Sequence, residues 1–285
     1  VPLYLLDANL PENPPHIRDI TSRLYAGDAK TRLAQEVLLG IGGMRCLEAM
    51  GIYPMVCHLN EGHCAFATLE RLSQTMSKYN VDLKTAEEIV SRTTILTTHT
   101  PVAAGHDEFP LDLVKPYLGS LADRLGVTID EMVSWGQAVK SGSDAPLSMF
   151  VLGLRMAQYK NGVSELHGKV ARRMWSHVWE GIPEDEVPVI HITNGVHIPS
   201  WISIENVMLF ERYLGPEWHL HMASPEMTNR VDDIYDEELW RAHEMSRSRL
   251  IRTCRALMIK QYSRRNAPRA MMKDAESVLE KDILT

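Results

Sequence analysis

Five neutral hydrogen-bonding residues carry the chemistry that can be read from this chain: Asn60, His63, His99, Thr100 and Asn194. Asparagine, threonine and uncharged histidine each donate and accept, which suits hydroxyl groups. A phosphate site would call for arginine, lysine or a glycine-rich helix start. Neither a GxGxxG nor a Walker loop occurs, and Gly40-Ile-Gly-Gly43 follows a helical pattern where a phosphate loop would follow a strand. Nucleophilic catalysis has no signature either, because there is no GxSxG elbow and no recognisable cysteine–histidine motif. The 12 histidines invite a metal, but HExxH and Cys–His ligand spacings are missing, so no metal site is expected. The loops read as sugar-binding loops without charged catalytic apparatus of their own. The competing reading is that they are only capping and turn residues.

Each of these residues follows a run that reads as a strand. Residues 1–6 empty into Asp7 and Asn9, and 53–58 into Asn60, Glu61 and His63. Residues 93–98 empty into His99 and Thr100, and 188–192 into Asn194 and Gly195. Helical patterns lie between them. One starts at Asp28 and runs to Ala49, where Gly51 ends it. Its Gly40, Gly42 and Gly43 weaken it unless another backbone packs closely there. Others carry Ala65, Leu69 and Leu72, start at a Thr85 cap, or cover 111–125, 128–135, 149–159, 164–175, 206–214 and 236–265. Strands alternating with helices predict an α/β fold with a Rossmann-like, mostly parallel sheet flanked by helices. Ligands of such sheets bind beyond the carboxyl ends of the strands.

With 285 residues, 45% hydrophobic and 24% charged, the chain can build a core in one large or two modest domains. Its net charge of −7 argues against nucleic acid as a partner. The basic region 247–269 is interleaved with Leu250, Ile251, Leu257 and Met258, and reads as a solvated helix face. A membrane helix needs about 20 apolar residues, and the run at 149–154 already ends at Arg155. No membrane is therefore expected. Cys46, Cys57, Cys64 and Cys254 form no CxxC pair, which points to a reducing compartment and a cytoplasmic protein. The opening residues look like a strand already under way, so the chain is expected to be a fragment.

Several segments resemble the α-glucan (glycogen, starch, maltodextrin) phosphorylases, in the shorter branch of bacteria and archaea. They are Arg32-Leu-Ala-Gln-Glu36, His58-Leu-Asn-Glu-Gly-His63 leading into Thr68-Leu-Glu-Arg71, and Thr97-Thr-His-Thr-Pro101. Asn161-Gly-Val-Ser-Glu-Leu-His167 and Thr193-Asn-Gly195, followed by Trp201, complete the set in the family's order. The resemblance implies a GT-B glycosyltransferase, with 1–285 a partial N-terminal catalytic domain, the long helix near 236–265 at its edge, and a C-terminal cofactor domain absent. In the family, pyridoxal phosphate sits on a lysine of that second domain. Its phosphate assists inorganic phosphate in releasing the terminal α-1,4 glucosyl unit as glucose 1-phosphate. Lys260 and Lys273 look like helix-surface residues, so no cofactor is expected on this piece.

Carried over residue by residue, the resemblance makes His99 catalytic, beside the sugar's 6-hydroxyl and reacting carbon. It makes Asn194 and Gly195 binders of glucosyl hydroxyls. Asn60, Glu61, His63 and Thr100 line the substrate site, Trp201 lies near the cofactor, and Asp7 and Asn9 correspond to a gating loop. Two departures stand out: Cys64 where relatives often have proline, and the run Pro-Val-Ala-Ala-Gly-His-Asp107 after Thr100. The partners implied are α-1,4-glucan, inorganic phosphate and the second domain, with homo-oligomerisation left open. A nucleotide-sugar GT-B glucan synthase and a non-catalytic glucan-binding module remain as alternatives.

Overall fold

The computed structural model describes residues 2–24, 27–102, 105–137, 145–222 and 224–279. The loop expected at 141–145 lies, apart from Ala145, outside them. The chain divides into two compact units, Val1–Asn194 and Gly195–Thr285.

The first unit runs α1 (Pro15–Arg18), α2 (Ala29–Val37), α3 (Gly43–Ala49), β1 (Cys57–Asn60), α4 (Phe66–Tyr79), α5 (Leu83–Arg92) and β2 (Thr94–Thr98). It continues with β3 (Glu108–Phe109), α6 (Leu111–Leu125), α7 (Ile129–Ser134), β4 (Leu147–Ser148), α8 (Met149–Met156), β5 (Tyr159–Gly162), α9 (Glu165–Trp175) and β6 (Ile190–His191). The main sheet has the order β1-β2-β5-β6 with every pairing parallel, and β3 and β4 form a separate antiparallel pair. All four carboxyl ends therefore share one edge, which gives the α/β class and mostly parallel sheet that the alternating pattern predicts.

Packing explains the sheet's rigidity. Seven of the eight residues of α8 are buried, as befits a helix that is apolar all round. Its Phe150, Val151 and Leu154 join Leu59 of β1 and Leu96 of β2 in one core. Its Met149 and Leu152 join Phe66, Leu69 and Leu72 of α4 and Leu118 and Leu121 of α6 in another. Each such side chain contributes about 1.5–3 kcal/mol on burial, and α8 ties the two cores together. Asp28 caps α2, accepting from Thr31 N at 2.8 Å, and a π-turn at Leu38–Gly42 leads on to α3. At Gly40 an added Cβ would lie 2.8 Å from Ala67 N and Phe66 Cβ. That is the close backbone approach that makes glycine tolerable inside the helical pattern.

Three expectations need correction. Residues 2–6 form no strand; Leu3 and Leu5 are 82% and 84% exposed. An apolar run becomes a strand only where a neighbour accepts its backbone hydrogen bonds, and β1 pairs only with β2 among the described residues. The helix expected over 149–159 stops at Met156, and Tyr159–Gly162 becomes the internal strand β5. Four polar and small residues carry no strand signature, so tertiary pairing with β2 and β6 decides the outcome. Finally, the cap of α5 is Asp82, which accepts from Thr85 N at 2.8 Å; Thr85 itself lies within the first turn.

The second unit holds α10 (Ile198–Trp201), α11 (Ile204–Leu214), α12 (Pro225–Val231), α13 (Asp236–Arg264) and α14 (Arg269–Ser277). Leu209, Ile234 and Ala242 form one small core, and Leu214, Trp218 and Met227 another. Of the 29 residues of α13 only Ala242 is buried, so its basic stretch is a largely solvated face. The second unit thus has small cores of its own.

Candidate functional site

The shared edge of the sheet gathers four exits. β1 ends at Asn60 and leads to Glu61 and His63; β2 ends at Thr98 and leads to His99 and Thr100. β5 leads to Val163, and Asn194, three residues past β6, donates its backbone N–H to the Val163 carbonyl at 3.1 Å. His58, Thr97 and Asn161 form a chain across three strands. His58 Nε2 lies 2.7 Å from Thr97 Oγ1, which donates to Asn161 Oδ1 at 2.9 Å. Because Thr97 donates onward, it accepts from a His58 that carries its proton on Nε2.

Glu61 is the hub of the β1 exit. Its carboxylate accepts the backbone N–H of His99, that of Thr100 at 3.0 Å and the Thr100 hydroxyl at 3.2 Å, all on Oε1. His99 Nδ1 lies 3.4 Å from the same oxygen, with the ring still 45% exposed. The Glu61 backbone has φ 62° and ψ −174°, a region almost reserved for glycine that costs about 1–3 kcal/mol. The next residue, Gly62, has no room for a side chain, since a Cβ would lie 2.8 Å from Phe150 N. The turn is therefore pressed onto the amino end of α8, which aims the Glu61 carboxylate at β2.

His63 enters a second, charged cluster. Arg32 Nη2 donates to Glu36 Oε1 at 2.9 Å and to Asp107 Oδ2 at 2.5 Å, and lies 3.2 Å from His63 Nδ1. His63 Nδ1 is 3.3 Å from Asp107 Oδ2 and 3.4 Å from Glu36 Oε1. Hydrogen bonds to Asp107 and Glu36 push His63 up to about 9. Its Nδ1–H then donates to the two carboxylates, which also offset the nearby guanidinium. Hydrogen bonding from His63 holds Asp107 well below the usual carboxylate range. Burial pushes Glu36 up to about 7, against the opposing bond from His63.

Three ligand atoms of Glu36, His63 and Asp107 lie within 4.8 Å of one another, a spacing that suits a metal ion. Arg32 reaches all three, however, so a fixed guanidinium already supplies the positive charge there. The cluster reads as an ion network.

The remaining expected residues lie in other surroundings. Asp7 accepts from Asn9 N at 3.0 Å and Thr21 Oγ1 at 2.8 Å, while Asn9 Oδ1 accepts from Arg18 Nε at 2.9 Å. Both belong to a local loop around α1. Asn60 is exposed at the end of β1. Gly195 opens the second unit, where Trp201 ends α10 with 83% of its surface exposed. The sequence reading missed Arg32, Glu36, His106 and Asp107 as site residues. Arg32 and Glu36 are i, i+4 neighbours on α2, which puts both on one face. Nothing local in the sequence tells that His63 and Asp107 meet that face.

No family model matches the chain. A maltodextrin phosphorylase from Thermococcus litoralis is 44% identical over 243 residues, covering 85% of this chain and 28% of that protein. A glycogen phosphorylase from Mycobacterium tuberculosis is 36% identical over 296 residues, covering all of this chain and 34% of its own length. A third, glycogen phosphorylase from Aquifex aeolicus, is 33% identical over 286 residues, or 99% of this chain and 40% of that protein. The chain belongs to the α-glucan phosphorylase family. Its similarity is to the shorter prokaryotic type, and it spans between 28% and 40% of the length of these relatives. The two phosphorylase segments around His63 and His99 leave adjacent parallel strands, joined through Glu61.

Proposed function

We propose that this chain forms the sugar-facing part of an α-1,4-glucan phosphorylase. The whole enzyme would transfer the terminal glucosyl unit of the glucan to inorganic phosphate, giving glucose 1-phosphate. One observation carries the reading: segments matching the family emerge side by side at one sheet edge as hydrogen-bonding residues, with His63 alone among them drawn into an ion network. His99 and Asn194 then hold glucosyl hydroxyls, with His99 beside the reacting carbon. Asn60, Thr100 and His63 line the same site. The parallel sheet supports a GT-B architecture, with a second domain facing this edge.

These donors and acceptors orient the sugar; none of them is a strong nucleophile at neutral pH, so the acceptor is the inorganic phosphate itself, held by groups elsewhere in the enzyme. The family reading brings pyridoxal phosphate with it, and the resemblance sets Trp201 of this chain near it. Trp201 offers a flat exposed indole. Lys160, pushed down to about 8 by burial, lies over the Trp179 ring at 5.7 Å and beside the Gln158 carbonyl, surroundings that offer nothing to a phosphate. We assign the cofactor's lysine to the other domain. Four free cysteines support a cytoplasmic enzyme, and no described helix is long and apolar enough to cross a membrane.

The test is phosphorolysis by the full-length polypeptide that carries this chain. With maltoheptaose and inorganic phosphate it is expected to release glucose 1-phosphate, and His99→Ala is expected to lower the rate by about 100-fold or more. Glucosyl transfer from a nucleotide sugar, with no phosphorolysis, would sink the reading.

A further inference from the structure

The loop leaving β2 is tied down at both ends by the loop leaving β1. At its start the Glu61 carboxylate takes the His99 and Thr100 amides and the Thr100 hydroxyl, with Thr98 Oγ1 at 3.5 Å from its second oxygen. At its end Asp107 is gripped by Arg32 and His63, and the Asp107 carbonyl accepts from Met149 N at 3.1 Å. Between them His106 is packed between rings, 4.3 Å from Phe150 and 4.9 Å from Trp175, with Nδ1 4.0 Å from Glu61 Oε2.

Counting lone pairs separates two roles for Glu61. A carboxylate oxygen accepts about two hydrogen bonds, and Oε1 already receives three donors from the β2 loop. The side chain is only 13% exposed. Oε1 has no capacity left for a sugar hydroxyl, and among the described residues Oε2 holds only the long hydrogen bond from Thr98. A residue at φ 62° also persists only where its surroundings over-determine it, and the contact that holds it is this carboxylate.

We propose that Glu61 is a positioning residue: its carboxylate clamps the His99–Thr100 backbone, while Arg32, His63 and Asp107 anchor the far end of the same loop. The His99 ring is thereby presented to the sugar in one orientation. This rests on the proposed role of His99, but the clamp itself stands apart from any activity.

The experiment uses Glu61→Gln and Glu61→Gly, the second because glycine accepts this backbone without strain. In the 285-residue chain, amide exchange at His99 and Thr100 is expected to speed up by roughly tenfold or more in Glu61→Gly. Amides of Leu69 and Leu72 should keep their protection, and the His99 ring nitrogen shifts should move. Glu61→Gln, which keeps one acceptor oxygen, should fall between the two. In the full-length enzyme kcat for maltoheptaose phosphorolysis should fall by roughly 100-fold, with KM changing far less. Unchanged His99 and Thr100 amides in both variants would overturn the clamp, as would a loss confined to KM. If the full-length protein shows no phosphorolysis at all, the functional reading fails, and the amides alone still decide the clamp.

Discussion

Glu36 on α2 and Glu70 on α4 are both 1% exposed and both face arginine, yet their carboxyls are driven in opposite directions. Burial works to raise the Glu70 carboxyl, but its guanidinium partners outweigh it and leave the group below its ordinary value. Arg124 grips both oxygens, at 3.0 and 2.7 Å, and Arg45 adds a third contact at 3.1 Å. Glu36 has to share a single arginine with Asp107 and His63, and its Oε2 is buried with no hydrogen-bond partner among the described residues. The same burial thus gives a saturated structural clamp in one place and an under-supplied acid beside the sheet edge in the other. What separates the two is how many donors each carboxylate has to itself.

The largest effect should come from breaking the saturated clamp. Arg124→Met leaves Glu70 with one half-exposed arginine and should cost about 2–3 kcal/mol, read as a lower urea midpoint. Glu36→Gln should be close to neutral near pH 4.5 and stabilising by pH 7, since folding favours the uncharged form and the wild-type carboxyl loses stability between those values. Equal losses from the two substitutions would erase the contrast.

That contrast was only half legible in the sequence. The alternation of elements reveals the α/β sheet, and the β-branched run 93–98 marks β2 by itself. Local patterns also find α6, α7, α9 and the cap at Asp28, because caps and amphipathic faces are short-range physics. β5 was hidden because Tyr159-Lys-Asn-Gly162 is a strand only through its neighbours. The site followed the same rule. His63, His99 and Asn194 were visible as polar residues after strands. Glu61 was visible too, but its work on the His99 backbone depends on a backbone conformation that no residue type announces. Arg32, Glu36 and Asp107 meet across 75 positions of chain, from 32 to 107, and no local spacing encodes that meeting.

A pH series sharpens the comparison with somewhat smaller effects. His63 rises from 6.5 to about 9 on folding. Its stabilisation is fully present below pH 6.5 and is lost as pH rises through about 9. Glu36 rises from 4.5 to about 7, so its ionisation erodes stability between those values. Asp107, held low, acts in the opposite sense: its contribution is present above its unfolded value of 3.8 and lost as pH falls through its depressed native value. Unfolding free energy measured in urea should therefore decline from pH 5 to pH 9. His63→Gln should flatten the upper half of that slope and Glu36→Gln the lower half. Arg124→Met should steepen the lower half, because Glu70 left with Arg45 alone is pushed up by its burial. A slope indifferent to Glu36 and His63 would mean the cluster is not the source.

The smallest effect supplies the solvated limit against which both buried acids are judged. Lys169 pairs with Glu165 at 2.8 Å along α9, with side chains 61% and 67% exposed. It is a shorter contact than Arg45 makes with Glu70, so distance alone would rank it as the stronger. Water screens such a pair and two long side chains lose freedom in forming it, so Lys169→Ala should change stability by no more than about 0.5 kcal/mol. The shift should shrink further in 1 M salt, where charges are screened within about 3 Å. Arg124→Met should keep most of its cost under the same salt, because the Glu70 carboxylate is shielded by protein. If salt removed both effects alike, donor count and burial would no longer explain why Glu70 holds and Glu36 yields.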